Sequence, residues 1–206
     1  MCAVMTAAQI LPTYQRVARD WAIHRAESQL FEKSWLKRMM RQASGRTVLD
    51  LGCGPGVPIA RYLTRKNRRV TGVDGAEAMI ELFRENLPNS EAIHADMRSL
   101  DLGRKFDAIL AWNSFFHLSP DDQRAMFRVF SLHASMGAAL MFTSGPEAGE
   151  AMGQVAGVPV YHSSLSPPEY EALHRAHGFE VKYFRPEDPD CGGHTIWLSR
   201  FIGTSA

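Results

Sequence analysis

Cysteine is scarce in this chain. Its 206 residues hold three, Cys2, Cys53 and Cys191, widely separated and without a C-x-x-C pair. An odd, scattered set excludes a disulfide framework and offers no zinc motif. It fits a reducing cytoplasm. Charge of one sign is not in excess either: 23 Lys and Arg stand against 22 Asp and Glu, a formal net charge of +1. No global field therefore draws the chain to nucleic acid or to an anionic membrane. Residues 1–11 are mildly apolar, but they lack a basic leader and are far too short to cross a bilayer. They read as neither signal peptide nor anchor. No internal repeat or low-complexity tract is visible. Asp190, Cys191 and His194 lie close in sequence but have no fourth ligand and no regular spacing, so a polar turn is the simpler reading and no metal site is expected.

What is present is ordinary for a globular domain: 45% hydrophobic and 22% charged residues. The length suits one α/β domain spanning 1–206. Residues 48–59, Val-Leu-Asp-Leu-Gly-Cys-Gly-Pro-Gly-Val-Pro-Ile, organise the rest. They begin as a buried parallel strand. They then break at Gly52, Gly54 and Gly56, which let backbone approach a ligand closely, and resume as a helix near Pro58. Such a strand, glycine turn and helix bring free amides to a charged cofactor. A dinucleotide fingerprint needs G-x-G-x-x-G. Here Val57 takes the third glycine position, and the pattern is D-x-G-x-G-x-G with Asp50 inside it.

Residues 13–43 read as helical, with Leu30, Phe31, Trp35, Leu36 and Met39 at helical spacing. The segment 1–45 is expected to be a helical lid joined to a core of residues 46–206. From residue 47 strands and helices alternate, which implies a parallel sheet. Strands are expected at 47–51, 69–74, 92–95, 106–112, 138–143, 179–185 and 194–201. Helices are expected at 58–66, 76–86, 119–133 and 166–178. Residues 145–159, rich in Gly, Ala and Pro, read as a loop with room for a short helix.

Asp74 follows Gly56 at about the interval at which an acidic residue meets ribose hydroxyls. The alternative is a solvated aspartate before Gly75. Asp96 with Met97 has the composition for adenine: a carboxylate for the exocyclic amine, an amide, and an apolar face. With these landmarks in order, residues 48–56, 73–74, 95–96 and 106–118 resemble motifs I to IV of small class I S-adenosylmethionine-dependent methyltransferases. The likeness covers residues 47–143. It implies a Rossmann-like α/β fold with a seven-stranded, mostly parallel sheet, one antiparallel strand, and helices on both faces.

The resemblance also implies roles. Gly52, Gly54 and Gly56 would pass under the methionine part of S-adenosylmethionine, with Asp50 at its amino end. Asp74 would hold the ribose, Asp96 and Met97 the adenine, and Trp112 and Asn113 would approach the sulfonium. Cys53, Gly75 and Met79 complete the cofactor set, though Met79 also fits plain core. Two departures bear on the acceptor. Asn113 is not followed by the Pro-Pro-aromatic turn of enzymes that methylate amines on nucleic acids. The basic run 65–69 precedes a strand, at the sheet edge opposite to ligands. Tyr14, Trp21, His24, Phe115, Phe116 and Tyr161 are left to wall a small apolar acceptor pocket. His117 is the candidate general base, with His162 in reserve; a histidine at a helix start bonded to backbone is the alternative.

The sequence therefore predicts methyl transfer from S-adenosylmethionine, yielding S-adenosylhomocysteine, to a small-molecule nucleophile. No nucleic acid or membrane partner is expected, and the location is expected to be cytoplasmic. The alternatives are a non-catalytic module that binds the cofactor and an NAD-dependent oxidoreductase.

Overall fold

The computed structural model describes residues 6–203. Cys2 and the rest of residues 1–5 lie outside the described part. In chain order the structure runs α1 (Ile10–Glu27), α2 (Lys33–Gln42), β1 (Thr47–Leu51), α3 (Ile59–Arg65), β2 (Arg69–Asp74), α4 (Glu77–Asn86), β3 (Glu91–His94), β4 (Phe106–Ala111), α5 (Pro120–His133), β5 (Ala134–Ser144), β6 (Gly149–Val155), β7 (Val158–Ser164), α6 (Pro167–Ala176), β8 (Phe179–Asp188) and β9 (His194–Phe201).

β1 is buried on both faces, with Val48, Leu49 and Leu51 apolar, and such a strand belongs inside a parallel sheet. It lies between β2 and β4, parallel to each. The sheet has seven strands in the order β3-β2-β1-β4-β5-β9-β8, and β9 runs antiparallel to both its neighbours. Two cores sandwich it. On one face, Met126, Phe127 and Phe130 of α5 and Tyr170 of α6 pack on Phe142 and Trp197. On the other, Trp35, Leu36 and Met39 of α2, Leu63 of α3 and Phe83 of α4 pack on Val48, Leu110 and Met141. α5 starts cleanly because Ser119 Oγ accepts from the Asp122 amide at 3.2 Å, with Pro120 in the first turn. That start fixes the short 3-10 turn at Phe115–His117 just before it.

The amino-terminal segment divides in two. α2 lies within the core, with Leu36 and Met39 fully buried. α1 instead bridges α4, through Ala18 against Ala76 and Met79, and β7, through Ile10 and Val17 against Val160 and Tyr161. The loop expected at 145–159 is largely strand: β6 pairs with β7 in an antiparallel hairpin outside the main sheet. Gly-Glu-Ala-Met-Gly-Gln-Val carries little strand propensity of its own. Pairing with β7, and the packing of Val155 and Val160 on α1, imposes the extended form. Among the described residues no helix is long and apolar enough to cross a membrane.

Candidate active site

Asp50 in β1 and Asp74 at the end of β2 bring two carboxylates to one side of the sheet, and the end of β4 faces them. The turn after β1 makes room there. Gly52 has φ +70°, and a Cβ on it would lie 2.2 Å from Ser114 Cβ, so only glycine fits. Gly54, at φ +53°, has nothing within 4 Å of where a Cβ would stand. Its backbone is open to the cavity, a cradle for a ligand rather than packing. The Gly54 amide donates to Asp74 Oδ2 and the Ala76 amide to Asp74 Oδ1, both at 2.9 Å. Asp74 is thereby locked to the turn while each oxygen keeps a lone pair for a ligand.

Burial raises the Asp74 carboxyl above the usual range, against the two amides, which lower it. Asp50 is buried with no hydrogen-bond partner among the described residues. Desolvation first, and the nearby Asp74 second, push it up to about 7. Cys53 on the same turn is held well above the usual thiol range by burial, so it is not a nucleophile. Across the opening, Asp96 is clasped by the Arg98 guanidinium through both carboxylate oxygens, which keeps it ionised below the usual range.

The opposite wall joins α1 to the turn before α5. The Tyr14 hydroxyl and His117 Nε2 are 2.9 Å apart, and His117 Nδ1 is 2.8 Å from the Tyr161 carbonyl oxygen. A carbonyl only accepts, so Nδ1 carries the hydrogen, and Nε2 accepts from the Tyr14 hydroxyl. Burial pushes His117 down to about 4, so it is neutral near pH 7. Asn113 sits at φ +52°, unusual for a residue with a side chain. Its amide donates to Thr143 Oγ1 at 2.9 Å, and Ser114 Oγ donates to the Leu51 carbonyl at 2.7 Å.

These groups bound one cavity that opens to solvent. Its wall contains Asp50, Gly52, Cys53, Gly54 and Gly56 from the first turn, and Asp74, Gly75 and Met79 from the second. Asp96, Met97, Trp112, Asn113 and His117 join from the later strands, and Tyr14 and Trp21 from α1.

Five expected positions lie elsewhere. Phe115 is fully buried among Phe127, Phe130 and Phe142, because the 3-10 turn points it into the core. Phe116 packs on His162, ring centres 4.5 Å apart, behind His117. His162 is in turn 4.9 Å from the His117 ring, off the cavity wall. Tyr161 sends its hydroxyl to Glu150 at 2.7 Å and reaches the site only through its carbonyl. His24 is exposed beside Trp21 on the outer side of α1.

Sequence reasoning missed Ser114, which closes on Gly52, and Arg25, which is among the residues of the wall. Arg25 had a signal. Tyr14, Ala18, Trp21 and Arg25 follow one another at intervals of four, three and four, one stripe of a helix. Among the described residues no cluster of His, Cys, Asp and Glu has metal-binding geometry. Asp190, Cys191 and His194 form a closed turn in which His194 Nδ1 donates to the Cys191 carbonyl at 2.7 Å.

Residues 48–137 match the methyltransferase domain family. The cypemycin N-terminal methyltransferase of a Streptomyces species is 32% identical over 103 residues, covering 48% of this chain and 42% of that protein. The trans-aconitate 2-methyltransferase of Enterobacter sp. (strain 638) is 38% identical over 86 residues, covering 41% of this chain and 34% of that protein. The chain thus matches less than half the length of these curated relatives. A solved amino pentose methyltransferase from Micromonospora echinaspora, bound to S-adenosylmethionine and involved in calicheamicin biosynthesis, superposes with a TM-score of 0.68. It is 21% identical, over 87% of this chain and 94% of that one, a likeness of fold.

Proposed function

We propose that this chain is a class I S-adenosylmethionine-dependent methyltransferase that transfers a methyl group from S-adenosylmethionine to a nucleophile on a small molecule, a reading supported by the methyltransferase-domain match over residues 48–137. The observation that carries the reading is the cavity itself. An open glycine cradle and two carboxylates stand on one wall, and a hydrogen-bonded Tyr–His pair stands on the other. The residues fit the cofactor: Gly54 presents bare backbone, Asp74 has acceptor capacity for a ribose diol, and Asp50 is a buried carboxylate with no partner for a cation. When bound, the cofactor supplies an already activated methyl group on a sulfonium. The chain's task is to position the acceptor and keep water out, and orienting two reactants is worth about 7–11 kcal/mol.

We assign Tyr14 and His117 to that positioning. The Tyr14 hydroxyl gives its hydrogen to His117, so its oxygen lone pairs are left to receive an N–H or O–H of the acceptor. A histidine held at about 4 is a poor proton acceptor near neutrality. The arrangement therefore suits an acceptor that arrives as a neutral amine and needs no base for the transfer. α1 carries Tyr14 and Trp21 and serves as the lid in this reading. The basic run 65–69 leads into β2 at the end remote from Asp74, which favours a small acceptor over nucleic acid. A cytoplasmic location is part of the same proposal, supported by the free thiols of Cys53 and Cys191.

Calorimetry with S-adenosylhomocysteine and NAD tests the cofactor. Tighter binding of NAD would end the reading. Relatives named for a cypemycin N-terminus, trans-aconitate and an amino pentose suggest the acceptor panel: small amines and carboxylates, with product mass as the readout.

A further inference from the structure

Gln123, near the start of α5, is a fully buried amide that is not part of the cavity wall. Burying an amide costs free energy unless both its ends are hydrogen-bonded. Here both are. Nε2 donates to the Leu118 carbonyl at 3.0 Å and to the Ser163 carbonyl at 2.9 Å, and lies 2.9 Å from Ser163 Oγ. Oε1 accepts from the Tyr170 hydroxyl, which accepts in turn from the Leu165 amide at 3.1 Å. Ser163 Oγ completes the set by donating to the Leu118 carbonyl at 2.6 Å. Ser163, Leu165 and Tyr170 are each 2% exposed or less, so water does not compete for these bonds. A buried polar network with every member satisfied specifies one arrangement of the elements it joins.

The elements joined here are those that hold His117. Leu118 directly follows His117 at the end of the 3-10 turn. Ser163 lies on β7 two residues beyond Tyr161, and residues two apart in a strand direct their carbonyls to the same edge. β7 pairs with β6 along its other edge. The edge toward the turn is thus held at two successive points: the Tyr161 carbonyl by His117 Nδ1 at 2.8 Å, and the Ser163 carbonyl by Gln123. One bond could not set this register. A slide of β7 by two residues would bring a different carbonyl to His117 and keep every side chain on its own face. Gln123 tells the registers apart, because Ser163 offers it a hydroxyl beside the carbonyl. The residues two positions away, Tyr161 and Leu165, have no hydroxyl close to the main chain.

We propose that Gln123 is a positioning residue of the acceptor site: by clamping Leu118 to Ser163 it keeps the Tyr161 carbonyl on His117 Nδ1, and so keeps the imidazole in the tautomer that receives the Tyr14 hydroxyl. The proposal rests on the roles given to Tyr14 and His117 in the methyltransferase reading, and its test separates the two.

The main variant is Gln123→Met, of similar length but without donor or acceptor. The second is Tyr170→Phe, which takes the hydrogen from Gln123 Oε1 and leaves the amide free to turn. Leu36→Ala, on the other face of the sheet, controls for general loosening. Nitrogen spectra of isotope-labelled histidine near neutral pH read the tautomer, and His117→Asn identifies the His117 signals among the eight histidines. Wild type should show His117 with its hydrogen on Nδ1 alone. Gln123→Met should draw the two His117 nitrogen signals together as tautomers mix, with S-adenosylhomocysteine affinity unchanged in calorimetry. On an amine that the wild type methylates, kcat should fall about tenfold, the loss of one orienting hydrogen bond. Leu36→Ala should leave the His117 signals in place. A folded Gln123→Met protein with the wild-type His117 signals, mixed tautomers at full kcat, or the same mixing in Leu36→Ala each overturns the proposal. If Gln123→Met does not fold, Tyr170→Phe decides by the same spectrum. Wild-type protein that binds no S-adenosylhomocysteine overturns the methyltransferase reading instead, and the spectra still decide the clamp.

Discussion

Tyr14 and His117, 103 residues apart in sequence, meet through a 2.9 Å hydrogen bond in which the phenol donates and the imidazole accepts. A base must have a free lone pair and a pKa near the working pH; His117 has neither, since Nε2 is occupied and burial holds it at about 4. His117→Asn should therefore lower kcat by a factor that is constant across pH 6–8. Tyr14→Phe should lower kcat about tenfold, the loss of one orienting hydrogen bond, with cofactor affinity nearly unchanged. Rate profiles of the three proteins at saturating substrates check this. A wild-type advantage that grows as pH rises through 6.5 would restore His117 as the base.

Cofactor affinity should depend on pH through Asp50. Its carboxyl is held up to about 7, so below that pH it is protonated and neutral. A cationic amino group needs the ionised form, and binding then releases a proton. Affinity should fall as pH drops, by about tenfold between pH 8 and pH 6, and Asp50→Asn should flatten the dependence at a lower affinity. Calorimetry at the two pH values measures both, and a wild-type affinity that rises toward pH 6 would remove Asp50 from the cation's side.

Asp74 does two jobs that one pair of variants can part. Its oxygens hold the amides of Gly54 and Ala76. Asp74→Ala should weaken S-adenosylhomocysteine by about ten- to hundredfold, the value of a charge-assisted bond. Asp74→Asn keeps one acceptor oxygen for the turn, and should recover thermal stability more fully than affinity. Equal recovery of both in melts and titrations would reduce Asp74 to a structural cap.

The two amino-terminal helices should answer differently to truncation of one leucine. Leu36 in α2 is fully buried, and Leu36→Ala should cost about 2–5 kcal/mol in urea unfolding while cofactor affinity holds. Leu11 in α1 lies against Gly75 on the cavity wall and is half-buried. Leu11→Ala should cost under about 1.5 kcal/mol of stability, since half-exposed apolar surface contributes less, and should change ligand affinity. The reverse pattern would exchange the helices' roles.

The sheet was legible because its signals are local. Val48, Leu49 and Leu51 are apolar and run into glycines; Ser119, Pro120, Asp121 and Asp122 spell a helix start within four positions. The cavity's glycine and carboxylate wall was legible for the same reason. The hairpin was not, since residues 149–155 have no alternating pattern and are held extended by a partner and by α1. Nor could adjacency separate Phe115 from His117, because a 3-10 turn sends neighbours in divergent directions. The pairing of Tyr14 with His117 depends on distant elements meeting, and only the stripe on α1 foreshadowed it.

The hairpin addresses His117 through the main-chain carbonyl of residue 161, with no side chain involved. Which imidazole nitrogen holds the hydrogen is therefore indifferent to the side chain at 161. The hairpin's outward residues can therefore change without disturbing that bond. What the arrangement does not tolerate is an insertion or deletion of one residue in β7. That slip turns every carbonyl of the strand about, takes the acceptor away from Nδ1, and frees the ring to exchange tautomers, so that Tyr14 loses a defined partner.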